Sequence, residues 1–121
     1  MNEFNKNMNR KEFVSLLLIE IRTEPLDVYF RADYTGGRLH FSGHDLGDTV
    51  EEIWGDDEYE YSYSLDEENS EKFWQVIKAE YGKEDEALLK LFEGEIDELK
   101  FRKILDDNDI KYEFWSYVSE I

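Results

Sequence analysis

The first half of the chain alternates apolar and polar residues, the pattern of strands with one buried face. The alternation is cleanest over residues 58–65, where three tyrosines and a leucine share one face. Gly36 and Gly37 separate two alternating stretches, and paired glycines favour a hairpin turn. Residues 14–18 are Leu-rich and would also suit a helix, although the alternation that follows favours a strand. Strands are therefore predicted over residues 14–22, 26–33, 38–44, 58–65 and 111–118.

After Leu65 the apolar residues recur at helical spacing. Residues 66–70 provide capping side chains and an acidic first turn, and Gly82 ends this predicted helix. Two shorter helices are predicted around residues 88–92 and 96–105, and a short helical segment over 50–54, capped by Asp48 or Thr49.

The order of strands, then helices, then a final strand predicts an α+β fold: a largely antiparallel sheet of about five strands with about three helices on one face. Residues 1–10 are predicted to be a flexible polar leader, and residues 11–121 a single domain. The alternation places a set of mostly polar residues on the face away from the helices: Asp27, Tyr29, Arg31, Asp33, His40, Ser42, His44, Glu58, Glu60 and Ser62.

Composition and charge limit the kinds of ligand, cellular location and reactive site that this chain is expected to have. The 121 residues are 40% hydrophobic and 16% aromatic, which indicates a folded core, and their formal net charge is −17. A surface this acidic repels phosphates, so nucleic acid is not expected as a ligand. No signal peptide or membrane span is predicted, which makes the cytoplasm the expected location. Cysteine is absent from the sequence, so disulfides and thiolate sites are excluded.

Charge repulsion predicts that the protein becomes more stable as salt is added. Carboxylates that repel one another in the folded state are screened by ions, which lowers the electrostatic cost of compactness. Thermal melts at low and high ionic strength test this, and an unchanged or lower melting temperature in high salt would contradict it.

The carboxylates concentrate between Gly43 and Glu71, where the chain has twelve of them and no Lys or Arg. Apolar residues interrupt this segment, so it is predicted to fold and to present an acidic surface to a basic protein partner. Complementary charge speeds encounter, and aromatic side chains supply affinity. The candidate binding residues are Glu51, Glu52, Trp54, Asp56, Asp57, Glu58, Glu60 and Tyr61, with Trp54 and Tyr61 as possible anchors.

The two histidines are the main candidates for chemistry. His40 and His44 share a strand face about 13 Å apart, too far to hold one metal ion, but either could meet Glu58 or Glu60 on a neighbouring strand. His44 with Asp45 could form a dyad, although a turn is favoured there and no nucleophile is adjacent. Residues 106–109 lack the glycine and glutamate of a calcium loop. No catalytic residue, metal site or cofactor is therefore assigned.

Several short motifs resemble a family of small, uncharacterised bacterial proteins. They are Gly43-His44-Asp45-Leu46-Gly47, Glu51-Glu52, Trp54-Gly55, Tyr59-Glu60-Tyr61 and Phe114-Trp115-Ser116. The resemblance implies a single-domain intracellular protein and carries over no site. In composition alone the chain is similar to the acidic immunity proteins that neutralise bacterial nuclease toxins.

The leading hypothesis is a non-enzymatic interaction protein of the toxin-neutralising or inhibitor type. One alternative is a small hydrolase or metal-dependent enzyme that uses His44 with neighbouring carboxylates. Another is a structural domain whose charge serves only solubility. The sequence leaves the oligomeric state open.

Overall fold

The computed structural model describes residues 10–23, 26–47 and 58–118. Its strands are β1 (Phe13–Thr23), β2 (Leu26–Thr35), β3 (Arg38–Gly47), β4 (Glu58–Ser64) and β5 (Glu113–Val118). Its helices are α1 (Glu67–Tyr81), α2 (Glu84–Leu91) and α3 (Leu99–Asp107), all between β4 and β5. The order of strands, helices and a final strand confirms the predicted α+β class.

The five strands form one antiparallel sheet in the order β1-β2-β3-β4-β5, so each strand pairs with its neighbour in sequence. Gly36 and Gly37 connect β2 to β3 with φ angles of 59° and 76°. Glycine adopts these values without steric cost, which explains the predicted hairpin turn. The register is continuous from β2 to β5 and shifts only in β1.

The helices cover one face of the sheet, and the alternation of each strand decides which side chains they bury. In β2, Phe30 is fully buried while its neighbour Arg31 is exposed. In β3, Phe41 is fully buried while His40 is exposed. The predicted division of the sheet into an apolar and a polar face therefore matches the structure.

Aromatic rings from the sheet and the helices fill the core. Phe101 of α3 lies against Phe41 with ring centroids 4.3 Å apart, and it also contacts Phe30 and Phe73. Most of these pairs are tilted or edge-to-face, the arrangements that aromatic quadrupoles prefer. A rigid core of this kind fixes the position of the uncovered face.

Helix α1 is held against the sheet by polar contacts at its first turn. The carboxylate of Asp66 accepts a hydrogen bond from the Asn69 backbone N–H at 2.9 Å and so caps the helix. The buried hydroxyl of Ser70 accepts from the backbone N–H of Leu39 at 2.9 Å. Gly82 then ends the helix with a φ of 101°.

Several element boundaries differ from the sequence prediction; for example, β2 continues to Thr35 and β5 begins at Glu113. β3 continues to Gly47 because Asp45 and Leu46 still pair with β4, where the sequence had indicated a turn. Arg10, placed in the leader, is held by Glu71 at 2.8 Å and lies over the Trp74 ring at 5.6 Å. The predicted segment over 50–54 lies outside the described residues.

Within residues 10–23, 26–47 and 58–118, no helix is both long enough and apolar enough to cross a membrane.

Candidate functional site on the open face of the sheet

We call the side of the sheet away from the helices the open face. Strand alternation and pairing place nine central side chains there: Tyr29, Arg31, His40, Ser42, His44, Glu60, Ser62, Trp115 and Tyr117. All nine are partly or fully exposed, whereas the intervening residues of β2, β3 and β4 are buried: Phe30, Phe41, Gly43 and Tyr61. The strands therefore organise these mostly polar side chains into one continuous surface, the open face.

Pairing across the sheet arranges these side chains in rows. Tyr29 pairs with His44, His44 with Glu60, and Glu60 with Tyr117. With adjacent strands about 4.8 Å apart, this row spans about 14 Å. A parallel row from Arg31 through Ser42 and Ser62 ends at Trp115. Both rows end in an aromatic residue of β5.

His44 and Glu60 form a close pair of titratable groups in the first row. Nε2 of His44 lies 4.0 Å from Oε1 of Glu60. The Nε2 atom is buried and has no hydrogen-bond partner among the described residues. The sequence predicted that His44 or His40 could meet Glu58 or Glu60, and the structure brings His44 and Glu60 together.

A groove of about 630 Å³ runs along both rows. Its walls include Tyr29, Arg31, His44, Glu60 and Trp115. Aromatic, cationic and anionic groups thus line one open surface, a mixture that suits recognition of a side chain or a small polar ligand.

His40 lies apart from the His44–Glu60 pair. Its Nδ1 is 2.8 Å from the hydroxyl oxygen of Ser64 on β4. Within the described part of the chain, no three His, Asp or Glu side chains cluster closely enough to bind a metal ion. The arrangement of these described residues supports an acid–base or ion pair at His44 and Glu60 more than a metal centre.

The possible His44–Asp45 dyad does not form. The two residues are adjacent in β3, so their side chains point to opposite faces of the sheet. Asp45 faces the helix side, where its Oδ1 is buried without a hydrogen-bond partner among the described residues. Burial, together with the charge of Glu98, raises the pKa of Asp45 to about 6.

Two tyrosines of β4 lie on the same side as Asp45. Burial, and then the charge of Glu98, raise the pKa of Tyr61 and of Tyr63 well above the ordinary tyrosine range. The hydroxyl of Tyr63 donates a hydrogen bond to Oε2 of Glu98 at 3.1 Å. These polar groups are part of the helix-side packing and do not reach the open face.

The candidate binding residues fall into three groups. Glu58 and Glu60 are partly exposed on the open face, as predicted. Tyr61, which the sequence offers as a possible anchor, is only 4% exposed, and alternation places its side chain with the core residues of β4, facing the helices. Five residues lie outside the described part of the chain: Glu51, Glu52, Trp54, Asp56 and Asp57.

The sequence reasoning missed the aromatic residues of β5 as a site. Trp115 is 54% exposed and Tyr117 is 47% exposed, and their rings stack in parallel with centroids 6.1 Å apart. A signal was present: β5 carries aromatic residues at both odd and even positions, and a strand at the edge of a sheet cannot bury both sets.

The fold and this face define a small α+β domain with a five-stranded antiparallel sheet, whose described helices all lie on one face. Comparison with models of known protein families finds no match, nor does comparison with curated proteins or with solved structures. The chain's own residues are therefore the basis for inferring its function.

Proposed function

We propose that this protein is a non-enzymatic interaction protein that binds a basic surface of another protein, in the manner of a toxin-neutralising or inhibitor protein. The observation that carries the proposal is the juxtaposition of exposed aromatic rings and carboxylates at the β4–β5 side of the open face. Trp115 and Tyr117 are about half exposed there, and Glu60 pairs with Tyr117.

The aromatic residues supply the affinity in this proposal. Tryptophan and tyrosine are enriched among the residues that contribute most to protein–protein binding, because they bury a large area and lose little conformational freedom. The Trp115 and Tyr117 rings stack in parallel, so each restricts the orientation of the other before a partner binds. Their faces also attract Lys and Arg side chains through cation–π interactions.

The charge supplies steering and selects for a basic partner. β4 and β5 contain Glu58, Glu60 and Glu113 and no Lys or Arg. The net charge of −17 extends this field over the whole molecule. Long-range attraction raises the association rate with a cationic protein and opposes binding to acidic ones.

The site proposed here takes part of its residues from the acidic segment between Gly43 and Glu71. It keeps Glu58 and Glu60 and replaces the buried Tyr61 with Trp115 and Tyr117 as anchors. The partner is expected to present Lys or Arg side chains beside an apolar contact surface.

Capture from a lysate of the host cell, with the immobilised protein as bait, tests the proposal. We expect a basic protein that is retained at low salt and released at high salt. The double variant Glu58→Gln/Glu60→Gln should weaken this capture about tenfold, because it removes two steering charges beside the anchors. Quantitative mass spectrometry of the eluted fractions measures the effect.

A matched variant, Glu80→Gln/Glu93→Gln, removes the same charge from two exposed positions, one in α1 and one just after α2. It should retain most of the capture, since these carboxylates lie away from the open face. Equal losses in the two variants would show that only the overall charge matters. Capture that is insensitive to salt would contradict the proposal itself.

The His44–Glu60 pair favours a second candidate function, a small hydrolase in which His44 acts as the general base. The pair lies in the groove beside Ser42 and Ser62, which gives a substrate room to bind. His44→Ala separates the two functions, because it would abolish such an activity and leave charge-steered capture almost unchanged.

A further inference from the structure

β5 lies at the edge of the sheet, and its outer side has no partner strand among the described residues. An edge strand presents a row of backbone N–H and C=O groups that can pair with another extended chain. Proteins usually protect such edges with charges, prolines or bulges. β5 has none of these except Glu113 at its first position.

β5 exposes aromatic side chains on both faces of the sheet. Trp115 and Tyr117 are exposed on the open face, and Phe114 is 48% exposed on the opposite face. Phe114 contacts only part of the core, through the Tyr63 ring at 5.0 Å. A strand added outside β5 would cover all three rings at once.

The opposite edge of the sheet is built differently. β1 contains two register shifts, and Ser15 within it has a φ of 56°. Such irregularities interrupt the backbone row that an added strand would need. Exposed charges also mark this edge, where Arg22 pairs with Glu20 at 2.6 Å. Only the β5 edge is therefore ready for pairing.

Charge identifies the partner that fits this edge. The three charged residues of β4 and β5 are all glutamates. A second copy of the chain would bring another net charge of −17 to the same edge, which disfavours pairing between copies. An extended segment with Lys or Arg on one face would instead place its cations near Glu60, Glu113 and the aromatic rings.

We propose that the β5 edge receives an extended basic segment of the partner protein as a sixth strand. Basic residues of that segment alternate with apolar ones: the former lie beside Trp115 and Tyr117 on the open face, and the latter beside Phe114. Backbone hydrogen bonds provide affinity, and the alternation provides specificity. This inference rests on the proposed function, because it specifies how the basic partner is held.

A short peptide in which Lys and Val alternate, matched to the six residues of β5, serves as the probe. Calorimetric titration should show saturable binding, and hydrogen exchange should show new protection of residues 113–118. The same peptide with N-methyl groups on consecutive interior residues keeps its charge but cannot donate backbone hydrogen bonds. It should bind at least about tenfold more weakly.

Two variants test whether the peptide binds at the β5 edge. Trp115→Lys puts a like charge beside the incoming lysines and removes an aromatic face, so peptide affinity should fall about tenfold or more. Leu89→Lys makes the same change in charge at a side chain of α2 that is 47% exposed, and it should leave the affinity nearly unchanged. Circular dichroism checks that both variants fold.

The outcomes separate this inference from the proposed function. If the Lys–Val peptide and its N-methylated form bind equally and in a salt-sensitive manner, strand addition is overturned. The proposed acidic protein-binding surface is then retained. Failure of the Lys–Val peptide to bind while a basic protein is still captured would also overturn strand addition. A dimer in solution that Trp115→Lys dissociates would assign the edge to a second copy and overturn the proposed occupant. The absence of both peptide binding and salt-sensitive capture would contradict both proposals.

Discussion

Gly43→Ala is expected to destabilise the protein by about 2 to 3 kcal/mol, in the upper range for an overpacked core. A Cβ atom at Gly43 would lie 2.1 Å from Cζ of Tyr61 on the paired strand, closer than any real contact. The Tyr61 ring cannot move aside easily, because it is buried against Phe30 and Tyr63. Denaturant unfolding of the two proteins measures the difference in free energy.

A double-mutant cycle provides the control. Tyr61→Ala alone removes a large buried ring and is itself destabilising. In that background, Gly43→Ala should cost less than about 0.5 kcal/mol, since the clash is gone and alanine restricts the unfolded chain more than glycine does. An equal loss in both backgrounds would show that Tyr61 is not the reason for glycine at this position.

Asp45→Asn is expected to stabilise the protein at neutral pH. Burial raises the pKa of Asp45 from 3.8 to about 6, so at pH 7.5 the folded state holds an ionised carboxylate in an unfavourable place. Water still reaches part of this group, so the expected gain is only about 1 kcal/mol. Thermal and denaturant unfolding at pH 7.5 measure it.

The pH dependence of this gain has a definite sign. Because the folded-state pKa is the higher one, the folded protein takes up the proton first as the pH falls through about 6, and the penalty on the wild type is relieved. The advantage of asparagine should therefore shrink between pH 7 and pH 4. Asp27→Asn removes the same charge from a partly exposed position and serves as the control for the change in net charge. Destabilisation by Asp45→Asn at every pH would mean that the carboxylate has a stabilising partner.

The arrangement of elements was largely predictable because each strand has one buried face. A period of two assigns Phe30 and Phe41 to the core and Arg31 and His40 to the open face from sequence alone. The same rule rejects the His44–Asp45 dyad once the strand is known to extend through both residues. The sequence suggested a turn there, because Gly43 and Gly47 are common turn residues.

The candidate site was only partly predictable. The meeting of His44 with Glu60 depends on the register between β3 and β4, and a shift of one residue would have separated them. The acidic segment offers Tyr61 as a possible anchor, and only the packing of the helices against this face of β4 shows how little of its ring is exposed. The exposure of Trp115 and Tyr117 follows from the position of β5 at the edge of the sheet.

The sequence by itself determined the class of the fold, the two faces of the sheet and the acidic character of the surface. These depend on local periodicity and on composition, which do not require knowledge of distant contacts. The tertiary structure alone decided which side chains share a row and which strand lies at an edge. It also placed Gly43 where the buried ring of Tyr61 leaves no room for a Cβ atom. Those features depend on the order and register of the strands. The same order and register bring Glu60 of β4 beside the aromatic rings of β5.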